Sequence, residues 1–190
     1  MNKVKFGLRN IYYAKLTTNS DTGAITYGTP VHAPGAISLA LSPVGENAEL
    51  YAEDSLYFTQ ANNQGYSGDM ELALLNDSFL TDIMGYETDD NGALIENADQ
   101  VPSAFAIGFE VQGDTKGKRV WFYNCTCARP NQEASTKTSG IEPSTDKLSI
   151  VVAPRLTDKQ VKAVLTLSDT NVSAYNSFFT SVYEEVNASA

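Results

Sequence analysis

Between residues 65 and 85 the chain changes its hydrophobic period, and that change limits what it can become. The stretch reads GYSGDMELALLNDSFLTDIMG. Met70, Leu72 and Leu74 alternate with Asp69, Glu71 and Ala73, the period of a strand with one covered face. Phe79, Leu80, Ile83 and Met84 then recur at helical spacing, one side of a short helix expected over 77–84. Asn76 or Asp77 is placed to cap its start, and Gly85 to end it in the left-handed conformation. A strand and a helix joined this closely must share one core. The stretch holds no His, no Cys and no nucleophile beside a base. It is built for packing.

The segment before it is longer than packing needs. Residues 36–42 alternate, with Ile37, Leu39 and Leu41 on one face, and predict a half-buried strand. Residues 43–64 then delay the next strand by about 22 residues, against ~4–6 for most connections inside a domain. They are not polar filler. Leu50, Tyr51, Leu56, Tyr57 and Phe58 lie among Glu46, Glu49, Glu53 and Asp54. A protruding hairpin of this kind buries its rings against its own sheet or against another molecule. The residues leave both open.

Elsewhere the chain reads as strands. Residues 4–18 alternate as one or two, interrupted near Arg9 and Asn10, and 25–27 return after the turn at 20–23. Asp-Asp-Asn-Gly within 87–95 signals a hairpin. Residues 103–111 form a strong strand with Phe105, Ile107, Phe109 and Val111 inward. A turn at 113–117 leads to 118–128, whose two apolar faces around Trp121 predict a central strand. A polar loop at 131–143, a strand at 147–153 and an edge strand at 161–167 follow. At the C-terminus Tyr175, Phe178, Phe179, Val182, Tyr183 and Val186 keep helical spacing. They predict an amphipathic helix over 171–187 that docks through the first five. The fold class expected is mainly β: a two-sheet β-sandwich or partial barrel with one short flanking helix and the C-terminal amphipathic helix. All 190 residues form a single domain in this reading, long enough to bury roughly 70% of the unfolded surface.

Catalytic chemistry finds little to work with. The sole His32 sits beside Ala33 and Pro34, far from any nucleophile–base pairing. Gly65-Tyr66-Ser67-Gly68 brings its second Gly one residue too early for a nucleophile elbow. No phosphate-cradling motif occurs. The turn at 87–98 could be aligned to a calcium loop, but position twelve is Ala98 instead of Glu. Cys125 and Cys127 point to the same face of a strand and read as reduced, small apolar residues. Neither an enzyme nor a cofactor is expected. No signal-peptide run opens the chain and no stretch reaches the ~20 apolar residues of a membrane span, so a soluble protein is expected.

The net charge is −10. Residues 61–116 hold eleven acids against Lys116, and so carry the whole excess. Asp69, Glu71, Glu110 and Asp114 are candidates for an acidic surface, either plainly solvated or one that must not stick to nucleic acid. Nucleic-acid binding is disfavoured, since it needs clustered Lys and Arg.

Several segments, in order, carry a resemblance. These are VKFGLRNIYYAKLT, TYGTPVHAPGAISLALSPVG, NNQGYSGDMELALLNDSFLTDIMG, DDNGALIENAD, FYNCTCARP and FFTSVYEEV. Across residues 4–186 the chain resembles the major tail proteins of long-tailed bacteriophages, in the subfamily common in phages and prophages of Gram-positive bacteria. The resemblance implies a β-sandwich subunit of the virion tail. Such subunits form stacked, hexameric rings whose inner strands close a large barrel around a lumen that is typically acidic. It implies copies of itself, a tape-measure protein, and tail terminator and distal tail proteins as partners. DNA would pass through the lumen without specific binding, and no membrane would be involved. Assembly would take place in the host cytoplasm. Residues 43–64 would be the inter-subunit arm. The competing reading is a monomeric β-sandwich module that binds carbohydrate or a surface receptor through its Tyr-rich arm.

Overall fold

The computed structural model describes residues 4–113, 117–132, 136 and 143–186. Asp114 lies outside the described residues, as do most of the 131–143 loop and the middle of the 113–117 turn. The chain runs β1 (Lys5–Thr18), β2 (Ile25–Tyr27), β3 (Val31–Ala33), β4 (Ala36–Val44), β5 (Ala48–Ala52), β6 (Ser55–Gln60) and β7 (Gly65–Leu72). A short helix α1 (Asp77–Asp82) follows, then β8 (Glu87–Thr88), β9 (Leu94–Ile95), β10 (Phe105–Gly113), β11 (Lys118–Cys127), β12 (Asp146–Val152), β13 (Lys162–Thr166) and α2 (Val172–Asn176). With 48% strand and 6% helix, the fold is mainly β, as the alternating segments predict.

One antiparallel sheet of nine strands dominates, ordered β2-β1-β10-β11-β12-β7-β4, with β3 also on β1 and β13 also on β11. β1 and β4 pack against each other without pairing, so the sheet curls over itself and does not close into a barrel among the described residues. Inside the curl lies the main core. It takes Ile11 and Tyr13 from β1, Met70 and Leu72 from β7, Phe105 and Ile107 from β10, and Leu148, Ile150 and Val152 from β12. Phe79, Ile83 and Met84 close one end of it, and Gly85 ends the helix with φ of +82°. Tyr13 donates its hydroxyl to Asp82 at 3.0 Å and so ties α1 to β1.

Bulges decide which side chains reach this core. On β4 the register slips between Ala36 and Ser38, so Ile37 is the extra residue and turns outward, while Leu39 and Leu41 stay inward. Leu74 lies past the end of β7 and is exposed, so the inward face of that strand ends at Leu72. The break predicted near Arg9 and Asn10 is also a bulge: β1 continues through it, with Asn10 at φ +53°. On β11 a shift between the pairs Ile107–Phe122 and Phe105–Cys125 moves the core face from even to odd positions. Cys125 and Cys127 thereby join Val120 and Phe122 in the same core.

The other face of β10–β11 carries a second core. Ala106, Trp121 and Tyr123 pack there with Ala14, Phe178 and Val182. Gly108 opposes Trp121 across the ladder, and a Cβ at that position would lie 2.8 Å from the indole ring. Only a glycine lets the ring lie flat on the strand.

The C-terminal segment departs from its predicted form. Instead of a helix over 171–187, the helical part of this segment is Val172–Asn176, and the described residues 177–186 continue as turns and irregular chain. The predicted contacts nevertheless form. Tyr175, Phe178 and Val182 are buried, and Phe179 and Tyr183 pack beside them at the edge of the second core.

Candidate interaction surface

Residues 43–64 form a separate two-stranded hairpin, β5 with β6, growing from the Val44–Gly65 end of the β4–β7 ladder. Glu53 and Asp54 form its two-residue turn, both at positive φ (+52° and +58°), the backbone of a type I′ turn. Leu50 pairs across the hairpin with Phe58, and Tyr51 with Leu56, so the two pairs lie on opposite faces; Tyr57 is the extra residue of a bulge between them. Neither face is covered. Leu50, Tyr51, Leu56, Tyr57 and Phe58 are between 49% and 76% exposed. The subunit's own sheet does not receive the arm.

β4 ends the sheet path. No strand pairs with its outer edge among the described residues, and Ala36–Val44 contains no charged side chain. Sheet edges are ordinarily blunted by Lys, by inward charges or by short length, because free N–H and C=O groups template further pairing. This one is nine residues long with Pro43 as its only interruption.

The outer face of β4, β7 and β12 holds short polar side chains with Asp69 and Glu71 among them. Ser149 and Lys147 approach Asp69 at 2.8 and 3.3 Å. The Ser149 hydroxyl first, then Lys147, hold its carboxyl below the ordinary value. Glu71 accepts from Thr145 at 2.6 Å and from Ser38 at 3.3 Å. These two acids therefore share one open face.

Glu110 does not join them. It is 2% exposed and faces the second core, opposite to the surface role expected of it. Arg9 donates to Oε1 at 2.6 Å, and Asn10 and Arg119 donate to Oε2, each at 3.2 Å. Burial alone would raise its carboxyl, but the Arg9 and Asn10 hydrogen bonds and the two guanidinium charges outweigh that and hold it below the ordinary value. The physical reason for the correction is the C-terminal segment, which lies over this face. A Cβ on Gly117 would meet both the Tyr175 hydroxyl and Glu110 Oε1. The other described acids of residues 61–116 sit elsewhere, on α1 and around the β8–β9 hairpin. The described acids are a run in sequence and not one surface.

The C-terminal segment is held by side chains of β11. Arg119 donates to the Tyr175 carbonyl, Trp121 Nε1 to that of Phe178 at 2.8 Å, and Tyr123 to that of Tyr183 at 2.9 Å. Arg155, 4% exposed, lies over the Tyr123 ring and donates to both oxygens of Glu184 at 2.7 and 2.8 Å. Arg155 carries no periodicity signal, and its role was not legible in the sequence.

Among the described residues no three His, Cys, Asp or Glu side chains gather as metal ligands. Among the described residues no helix is long and apolar enough to cross a membrane. Comparison with family models and with curated proteins finds no match to this chain.

Proposed function

We propose that the protein is a structural subunit of a bacteriophage tail tube, assembling with copies of itself into stacked rings. The observation that carries this reading is the hairpin arm with its five large apolar side chains exposed on both faces. An isolated soluble domain has no use for such a surface, and a partner surface removes it from water. The uncharged outer edge of β4 supports the same reading, since pairing with a neighbour's strand would satisfy it and a closed ring would abolish sheet edges. Head-to-tail contacts of this kind generate rings or open filaments, as a tube requires. Asp69 and Glu71 on the open face would then line or border the conduit and discourage passing DNA from adhering. Tape-measure, terminator and distal tail proteins are the further partners of this reading. No catalytic step and no cofactor enters it.

The test is electron microscopy of the purified protein over a range of concentrations. Rings or hollow tubes are expected, and a monodisperse monomer throughout would refute assembly. Tyr57→Ser with Phe58→Ser should leave the melting temperature unchanged and abolish polymers. The exposed Tyr51 and Tyr57 also suit a carbohydrate platform. That second reading predicts saturable binding to a glycan array by a protein that stays monomeric.

A further inference from the structure

Beside the arm, the structure holds a second unpartnered apolar feature, a cleft of about 480 Å³ where β1 and β4 approach. Phe6, Leu39, Leu41, Tyr66 and Phe109 line it, and Lys162 stands at its rim. Phe6 is 53% exposed. Lys162 Nζ donates to the Tyr66 hydroxyl at 2.7 Å and lies over its ring, but pairs with no carboxylate among the described residues. Among the described residues no acidic side chain lines the cleft.

We infer that this cleft receives the β5–β6 hairpin of a second copy of the chain. The inference rests on the self-assembly reading above and names the surfaces that would carry it. The two features are complementary in kind. The cleft is aromatic and aliphatic with the Lys162 cation at its rim. Residues 43–64 are aromatic and aliphatic with Glu46, Glu49, Glu53 and Asp54 and no base. Leu50 and Phe58, paired on one face, present one apolar surface, while Glu53 and Asp54 at the tip can reach Lys162. The chain does not fill its own cleft, because its own arm is exposed. The cleft lies beside β4 and the arm is a separate hairpin that follows β4 in the chain, so a subunit that gives its arm to one neighbour keeps its cleft open for another. Such a heterologous contact propagates.

The test uses two variants of the full chain. The arm variant is Leu50→Ser with Phe58→Ser; the cleft variant is Phe6→Ser with Lys162→Glu. All four side chains are exposed, so each variant should melt as the wild type does. Sedimentation equilibrium should find each alone a monomer, and their equimolar mixture a dimer and nothing larger, because one intact arm meets one intact cleft. A mixture that stays monomeric overturns the inference. So does a cleft variant that polymerises like wild type, which leaves self-assembly standing by another surface. A wild-type protein that never assembles overturns both readings together. If the cleft variant misfolds, Asp54→Cys with Lys162→Cys decides the matter in otherwise native chain, since Cys125 and Cys127 are buried. Oxidation of its assemblies should join subunits by intermolecular disulfides. Intact tubes without such cross-links refute the docking.

Discussion

Replacing Glu110 with Gln tests whether this acid is structural or part of an exposed charged surface. Glu110 is buried, and its oxygens accept from Arg9, Asn10 and Arg119. Removing one partner of a buried ion cluster costs about 3–5 kcal/mol when the remaining charges stay desolvated. Here Arg9 is 51% exposed and rehydrates readily, and Gln keeps the shape and one acceptor. The lower end, about 3 kcal/mol, is therefore expected. At this chain length that is roughly 6–12 °C in melting temperature, at about 2–4 °C per kcal/mol. The pH dependence has a definite sign. The folded carboxyl lies below its ordinary value, so its ionised form stabilises the fold at neutral pH. That contribution is complete above the unfolded value of about 4.3 and is lost as pH falls through the lower folded value. Thermal melts of wild type and Glu110→Gln should thus differ most near pH 7 and converge below about pH 4. An equal deficit at pH 7 and at pH 3.5 would mean that the loss is one of shape and not of charge. No deficit at all would return Glu110 to the surface role its sequence suggested.

Three further outcomes follow from particular contacts. Gly108→Ala should destabilise by about 1–3 kcal/mol, because the new methyl drives the Trp121 ring off the strand; urea unfolding followed by the fluorescence of this sole Trp would read it, and unaltered stability would contradict the packing. Glu53→Asn with Asp54→Gly should relieve two residues held at positive φ and slow hydrogen exchange in the β5–β6 hairpin, while faster exchange would refute the turn assignment. At pH 8 the native protein should not react with a thiol reagent and should show two thiols after denaturation: burial pushes the Cys127 thiol up to about 11 and that of Cys125 higher still. A native thiol that reacts in minutes would contradict their placement in the core.

Most strands could be read from the chain because one face of each is buried, and period two then survives in the sequence. Residues 105, 107 and 109 and residues 148, 150 and 152 show it plainly, and the structure buries all six. What could not be read were insertions of a single residue. Ile37 fits the alternation of β4 but is the residue its bulge expels, since a bulge is set by the partner strand and leaves no local mark. Glu110 was misread for a related reason. Alternation correctly put it opposite Phe109, but whether that opposite face meets water depends on the C-terminal chain, some 65 residues later in sequence. A signal did exist: the neighbours on that face are Ala106 and Gly108, small residues that leave room for something to lie on them.

The same covering explains why the C-terminal helix stops short. Helical spacing in residues 175–183 correctly marked which side chains face the sheet, though Val186, which continues the stripe, is exposed; yet spacing does not make a helix. A helix needs its own carbonyls to accept from N–H groups four residues on. Here the carbonyls of Phe178 and Tyr183 accept from Trp121 and Tyr123 instead, and that of Tyr175 accepts from Arg119 as well as from the Phe178 N–H only three residues on. These donors alternate along β11 on one face. Chain laid across them presents its carbonyls outward to the strand, which an unbroken helix does not do. Composition adds to the bias: 171–186 is rich in Ser, Asn, Val, Phe and Tyr, all middling helix formers, and holds a single Ala. Three aligned donors from a rigid strand therefore override a weak local preference. The apolar side chains still reach their pockets, because burial asks only that they arrive on the right side.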